Sequence, residues 1–365
     1  LRVEDTSEYA DAPAELRAQV DALRIDDNGD RIDRNKVWAA KQAALSLLFE
    51  TSRAVDLAPL DPALVDWATW CALAEVHGPD WRQWPQELQR PDSAAVQRAS
   101  RDLADRVRFH AWLQLRCDDQ LGAVQARSRA AGLSIGVVHD LAVGTDPAGA
   151  DAWALQDALA LGARIGAPPD TFNQQGQDWG MPPWHPRRLA ELGYAPLRDM
   201  LRGLLRHAGG VRIDHILGYF RMWWVPAGGT ARDGTYVSYD AEALLGVLTL
   251  EAERAGAIVI GEDLGTVTPD VRRELGGRHV LGTSVLWFER KDPVDGAAGP
   301  LRPLDEWREG AAASVTTHDL PTALGWLRGE HVRVRADLGV LDDPAAEEKT
   351  WQAEREELVD LLRTS

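Results

Sequence analysis

The sequence predicts an α/β protein of the (β/α)8 TIM barrel class with helical insertions, and three observations support this. The chain has 365 residues, enough for one large barrel domain. From Leu133 onward, short apolar runs alternate with helical segments, which is typical of parallel strands connected by helices. Four runs lead into an acidic residue, at Asp140, Asp214, Glu262 and Asp319. Because barrels carry their functional residues at the C-terminal strand ends, this distribution favours a barrel over a doubly wound sheet.

Residues 1–132 contain no such alternation and are predicted to form a largely helical subdomain of the barrel. Asp33 or Asn35 is placed to cap a helix through KVWAAKQAALSLLFE, and Ser93 to cap a long Ala/Arg-rich helix. Residues 133–365 are then expected to form the catalytic barrel segment.

Five strands can be identified in this second part, whereas a closed barrel needs eight. They lie in LSIGVVHDLAVG, GGVRIDHILG, AGAIVIGEDLG, HVLGTSVLWFE and AAASVTTHDL. Both ends of the sequence resemble the interior of a longer chain. We therefore expect an incomplete barrel that lacks its early and last strands.

Composition narrows the range of partners. The 40 basic and 57 acidic side chains give a net charge of −17, which disfavours nucleic acid and anionic membranes and suits a neutral substrate. No apolar run is long enough to span a bilayer. Cys71 and Cys117 are isolated, which indicates inert thiols in a reducing, cytoplasmic compartment. The 15 tryptophans fit a protein that stacks on sugar rings.

Three of the acidic strand ends, Asp214, Glu262 and Asp319, are separated by enough chain for one or two βα units each. They can therefore converge over one barrel mouth. Clustered carboxylates suit either a metal site or glycosyl transfer, in which one carboxylate is the nucleophile and another the proton donor. Asp263 and Asp270 are interpreted as helix N-caps.

A metal site would draw on His139, His215 and His318, which lie on three strands. However, strand alternation points His139 away from Asp140, and neither HxH nor HExxH occurs. We expect no metal, although the residues alone leave the metallohydrolase alternative open.

Arg212 precedes Asp214 by two residues on the same strand, so both side chains point the same way. A guanidinium there favours the ionised, nucleophilic form of the aspartate. The following Trp223 and Trp224 are expected to help wall a sugar site.

The motifs GVRIDH, GEDLG and TTHDLPT, in this order, resemble those of the alpha-amylase clan and, more narrowly, of the amylomaltase (disproportionating enzyme, 4-alpha-glucanotransferase) family. The likeness extends over roughly residues 100 to 330. It includes FHAWLQLRCDDQL, HDLAVGTDPAGADAW, GAPPDTFNQQGQDWGMPP, GTYVSYD and LGTSVLWFE.

The resemblance implies Asp214 as nucleophile, Glu262 as general acid/base and Asp319 as the carboxylate that grips sugar hydroxyls and stabilises the transition state. To act as an acid, Glu262 needs a raised pKa, which burial and the charge of Asp214 would supply.

The same resemblance implies that Arg212 and His318 support the donor sugar, with Asp140 nearby. It implies that Gln177 and Trp179 contact sugars flanking the cleavage point, although Trp179 suits a loop anchor equally well.

The GTYVSYD segment, which contains Gly234 and Tyr236, is interpreted as a plain turn. The activity implied by the resemblance is retaining 4-alpha-glucanotransfer between maltooligosaccharides, without a cofactor. The alternatives are an amylase-like hydrolase on the same barrel and a non-catalytic glucan-binding fragment.

Overall fold

The computed structural model describes residues 1–25, 31–51, 57, 59–169, 174–265, 267–291, 299–339, 341 and 343–364. Its α-helices are α1 (Ser7–Asp11), α2 (Ala14–Asp21), α3 (Arg34–Thr51), α4 (Pro62–His77), α5 (Ala94–Asp102), α6 (Ala104–Ala130), α7 (Ala150–Ala154), α8 (Pro186–Glu191), α9 (Ala195–Leu205), α10 (Ala241–Ala255), α11 (Pro269–Gly277), α12 (Ala323–Leu327), α13 (Glu330–Asp337) and α14 (Pro344–Thr364). Its strands are β1 (Val138–Leu141), β2 (Ala163–Ala167), β3 (Gln177–Asp178), β4 (Gly210–Ile213), β5 (Arg221–Pro226), β6 (Thr235–Ser238), β7 (Ile258–Gly261), β8 (Gly282–Val285) and β9 (Ala311–Ser314).

All regular elements described before β1 are helical. Asp33 accepts a hydrogen bond from Lys36 N (3.0 Å), and Ser93 accepts one from Val96 N (3.1 Å), so both predicted caps are confirmed. The long helix predicted after Ser93 is instead two helices, α5 and α6, which are separated at Leu103.

The five predicted strands are confirmed as one parallel series. β1, β4 and β7 pair side by side in parallel, and β8 pairs in parallel with β9. The two groups are joined because Gly261 N donates to Leu281 O (2.7 Å) and Leu281 N donates to Val259 O (2.9 Å). In the described ranges the series runs β1-β4-β7-β8-β9. The proposed incompleteness of the barrel stays a prediction.

The core beneath this sheet determines which way the strand residues point. Val211 and Ile213 on β4 are buried against α9 and α10, where they meet Leu201 and Leu245. Because side chains alternate along a strand, Arg212 points to the opposite face. The strand therefore directs Val211 and Ile213 to the helices and the side chain of Arg212 to the other face of the sheet.

A second sheet, antiparallel and with the order β3-β2-β5-β6, was not anticipated from the sequence. It contains Trp223 and Trp224, whose indole N–H groups donate to Ala231 O (2.9 Å) and Tyr239 Oη (3.3 Å). In the part of the chain that is described, neither ring makes a hydrogen bond or ring contact with Asp214 or the residues after β7. The expectation that the two tryptophans wall a sugar site stays a prediction.

The interpretation of GTYVSYD as a plain turn is wrong. Tyr236 lies in β6, pairs with Trp223 of β5 and packs edge-on against its ring, with ring centroids 4.9 Å apart. Gly234 just before the strand lies so close to the Trp223 indole that a side chain there would collide with it. Within the described ranges, we find no helix long and apolar enough to cross a membrane.

Candidate active site

The site begins with an arginine held between two carboxylates. Arg212 Nη1 lies 2.6 Å from Asp140 Oδ1, and Arg212 Nη2 lies 3.0 Å from Asp214 Oδ1. Asp140 is brought there because it is paired with Arg212 in the parallel register of β1 and β4. The predicted side-by-side placement of Arg212 and Asp214 is confirmed.

The turn after β4 is tied to both neighbouring strands by backbone hydrogen bonds. Asp214 N donates to Leu141 O (3.0 Å), and Ile216 N donates to Glu262 O (3.1 Å). Between them, His215 has a left-handed backbone with φ of 49°, a conformation that is costly for a residue other than glycine. That conformation lets His215 N donate to Glu262 Oε2 (3.1 Å).

Glu262 follows β7 directly and lies beside Asp214. Its Oε1 accepts a hydrogen bond from Leu264 N (2.7 Å), so two backbone N–H groups hold the carboxyl group. Burial raises the pKa of Glu262, and the negative charge of Asp214 raises it further, whereas the two hydrogen bonds oppose both effects. The predicted direction is confirmed.

The GQDWG loop contacts this pair through His215. The Trp179 ring lies edge-on to the His215 imidazole, with centroids 5.5 Å apart, and its indole N–H donates to Gln177 Oε1 (3.1 Å). Trp179 N also donates to Ile165 O (2.9 Å), which anchors the loop. Burial lowers the pKa of His215, an effect that the charge of Asp214 partly opposes. The structure thus brings Trp179 and Gln177 towards Asp214.

Asp319 and His318 lie beyond β9 and, unlike Asp214 and Glu262, are largely exposed. Their side chains are 71% and 66% exposed, and His318 Nε2 lies 3.5 Å from Asp319 Oδ2. Among the described residues, no hydrogen bond or ion pair joins Asp319 to Asp214 or Glu262. The predicted convergence of all three carboxylates therefore stays a prediction.

The histidines of the metal alternative are dispersed. His139 Nδ1 is hydrogen-bonded to Leu204 O (2.7 Å) at the end of α9, and His318 is exposed beyond β9. Over the ranges that the structure describes, no group of three or more His, Cys, Asp or Glu side chains could hold a metal ion.

Asp263 was misinterpreted from the sequence. It caps no helix but is buried, and it binds Arg308 through both carboxyl oxygens (2.6 and 2.7 Å). Asp270 lies in the first turn of α11, whose N-cap position is Thr268. Alternation with Glu262 could have indicated that Asp263 points into the protein, but nothing around Arg308 identified the partner.

Two carboxylates at neighbouring parallel strand ends, with an arginine between them, are an arrangement that suits an α/β barrel of the glycoside-processing class. The family model for 4-alpha-glucanotransferase matches residues 2–365. The chain therefore belongs to the 4-alpha-glucanotransferase family.

Similar proteins agree with this assignment. A 4-alpha-glucanotransferase of Mycobacterium tuberculosis (strain ATCC 25618 / H37Rv) is 50% identical over 97% of this chain and 51% of its own length. One from Thermus thermophilus is 32% identical over 73% of the chain and 53% of its own length. The chain spans about half the length of these relatives.

Two solved structures share the fold. Amylomaltase from Corynebacterium glutamicum gives a TM-score of 0.82 at 44% identity, over 97% of this chain and 50% of that one. Amylomaltase from Streptococcus agalactiae in complex with acarbose gives 0.72 at 18% identity, over 89% and 71%. The predicted α/β fold of the TIM-barrel type is confirmed.

Proposed function

We propose that the protein is a retaining 4-alpha-glucanotransferase that acts on maltooligosaccharides. The observation that carries this proposal is the adjacent pair of Asp214 and Glu262. Arg212 holds the first carboxylate, and burial raises the pKa of the second. One site thus offers a carboxyl nucleophile beside a guanidinium and a proton donor. Family membership supports the choice of substrate and of transfer over hydrolysis.

In the first step, Asp214 attacks the anomeric carbon of an α-1,4-glucan while Glu262 protonates the departing oxygen. A covalent glucosyl-Asp214 forms, and its formation removes the negative charge that had raised the pKa of Glu262. In the second step, the ionised Glu262 takes the proton from the 4-hydroxyl of an acceptor glucan, which receives the chain.

The residues around the pair are assigned to substrate. Arg212 and Asp140 border the donor sugar, and Trp179 and Gln177 border the sugars flanking the cleavage point. Asp319 and His318 are assigned to sugar hydroxyls, and their exposure leaves both side chains accessible to a ligand. We also propose that residues 1–132 form a helical insertion and residues 133–365 the barrel segment.

The mechanism uses no cofactor, because protein carboxyl groups carry both the covalent step and the proton transfers. The net charge of −17 suits a neutral glucan and disfavours nucleic acid as a partner. Cys71 and Cys117 are free thiols, which fits the proposed cytoplasmic location.

The test is product analysis after incubation with maltotriose, using protein expressed from the complete reading frame and Asp214→Asn as the blank. Transfer gives glucose together with oligomers longer than maltotriose. Maltose and glucose alone would identify an amylase-like hydrolase. Binding of maltotriose without turnover would identify a non-catalytic glucan-binding protein.

A further inference from the structure

The residue after Glu262, Asp263, is a buried carboxylate that forms an ion pair with the partly exposed Arg308. The side chain of Asp263 is 2% exposed, and both of its carboxyl oxygens accept hydrogen bonds. Oδ1 accepts from Thr283 N (2.8 Å), and both oxygens accept from the guanidinium of Arg308, at 2.6 and 2.7 Å. Arg308 Nη2 also donates to Thr283 O (2.6 Å). These contacts connect the end of β7 to β8 and to the segment that leads into β9.

The contacts leave little room for the guanidinium to move. A side-chain carbon placed on Gly282 would lie 2.5 to 2.6 Å from Arg308 Cζ and Nη1. Glycine at the start of β8 is therefore required for Arg308 to lie flat against the strand and reach Asp263. On the same strand, Thr283 Oγ1 donates to Gly261 O (3.1 Å), which ties β8 to the last residue of β7.

The pair acts on the residues that flank Asp263. Glu262, on one side, carries the carboxyl group of the active site. Leu264, on the other side, carries the N–H that donates to Glu262 Oε1 (2.7 Å). Fixing the Asp263 side chain therefore fixes the backbone that holds both the carboxyl group and one of its two hydrogen-bond donors.

We propose that Asp263 and Arg308 are positioning residues for the acid/base Glu262, because they hold residues 262–264 in the conformation in which Leu264 N–H donates to its carboxyl group. The inference rests on the proposed function, since it concerns the proton transfers of that reaction. Neither side chain is assigned to the substrate: Asp263 is buried, and its contacts are with Arg308 and Thr283.

A purely stabilising role would not need charge at this place. Replacing an ion pair in the interior by apolar residues of similar size is often neutral or stabilising, so the burial of Asp263 beside Arg308 is weak support for a stability role. Burial alone would raise the pKa of Asp263, but the hydrogen bonds from Arg308 and Thr283 outweigh it and lower the pKa. Asp263 therefore stays ionised at neutral pH. Its ion pair with Arg308, called the clamp below, persists while Glu262 gains and loses its proton.

The first test compares Asp263→Asn with wild type on a maltooligosaccharide donor. We expect kcat to fall about 10- to 100-fold, the range for a small misplacement of a catalytic group, while KM stays the same. Loss of the Leu264 hydrogen bond removes an interaction that favours the ionised form of Glu262, so its pKa rises. The basic limb of the pH profile should therefore move upward, by about one pH unit at most.

A second variant perturbs the clamp without removing a charge. Gly282→Ala keeps both charged residues, but the added methyl group displaces the guanidinium of Arg308. It should change kcat and the basic limb in the same direction as Asp263→Asn does. Arg308→Lys keeps the positive charge but cannot form the bidentate contact with Asp263. Its kcat and basic limb should lie between those of wild type and Asp263→Asn.

Glu251→Gln is the matched control. Glu251 on α10 is also buried, with its side chain 4% exposed, and binds Arg202 (2.8 Å) and Arg254 (2.7 Å). Among the described residues, its hydrogen bonds and ion pairs go to Arg202 and Arg254 and not to the turn that holds Glu262. We expect this variant to lower Tm and leave kcat and the pH profile unchanged.

A 13C NMR titration of the Glu262 carboxyl group in unliganded protein, with Glu262→Gln as the assignment variant, gives a readout that does not depend on activity. We expect a higher midpoint in Asp263→Asn and Gly282→Ala than in wild type and Glu251→Gln. If both clamp variants only lower Tm, as the control does, with the midpoint and kcat unchanged, the proposed positioning role is wrong. A wild-type protein that transfers no glucan would overturn the proposed function, and the NMR titration would still decide on the clamp.

Discussion

The two acidic regions of the site are constructed in opposite ways. Asp214 and Glu262 follow neighbouring strands and are held by backbone hydrogen bonds: Asp214 N donates to Leu141 O of β1, and Glu262 N donates to Ile213 O of β4. The Glu262 carboxyl group also accepts from His215 N and Leu264 N. Asp319 lies beyond β9 with its side chain 71% exposed, and His318 Nε2 lies 3.5 Å from its Oδ2. The backbone therefore fixes Asp214 and Glu262, the pair that we propose carries out the covalent step and the proton transfers, whereas the side chain of Asp319 is largely exposed.

This difference predicts that the two regions respond differently to substitution, and Asp214→Asn should show the largest effect. Removing the nucleophile eliminates the covalent step, and we expect transfer to fall by about 10⁴-fold or more. The loss should be equal for a glucan donor and for a glucosyl fluoride, because both must react with Asp214. Rates on the two donors, measured with the same protein preparation, check this; a surviving covalent intermediate with the fluoride would contradict the assignment.

Glu262→Gln should slow the reaction with the glucan donor much more than the reaction with the glucosyl fluoride. With glucan donors we expect a loss of about 10²–10⁴, the usual size of general acid/base catalysis. A glucosyl fluoride needs little protonation on leaving and should still glycosylate Asp214. The raised pKa of Glu262 also predicts that the wild-type basic limb lies above the value for a free glutamate and is missing in this variant. Equal losses with both donors would remove Glu262 from the acid/base role.

Asp319→Asn separates activity from stability. Because the side chain is 71% exposed, the free energy of unfolding should stay within about 0.5 kcal/mol of wild type. Activity should nevertheless fall by about 10²-fold or more, if the carboxylate stabilises the transition state. Arg212→Gln is the comparison variant: its side chain is 18% exposed and bridges two carboxylates, so both stability and activity should decrease. An Asp319→Asn protein with full activity would limit the catalytic group to Asp214 and Glu262.

The same contrast explains what the sequence could predict. The period of apolar runs and the acidic strand ends identified all five parallel strands and the Arg212–Asp214 pair, because both depend on residues close together in the chain. The antiparallel sheet was missed because its strands do not share the signal that marked the parallel ones, an apolar run that leads into an acidic residue. Asp263 was taken for a helix cap because its partner Arg308 belongs to a later segment, so no local pattern indicated the ion pair.

The smallest expected effect is that of a chelator. It tests whether Asp214 and Glu262 have protein partners or hold a metal ion. Asp214 is paired with the guanidinium of Arg212, and Glu262 accepts two backbone hydrogen bonds, so both carboxyl groups already have protein partners. His139 is directed to a backbone carbonyl group near α9 and supplies no ligand to that pair. Prolonged treatment with a chelator should therefore leave both transfer activity and Tm unchanged. A clear loss of either, restored by one particular divalent ion, would mean that the carboxylates hold a metal and would favour the metallohydrolase alternative over double displacement.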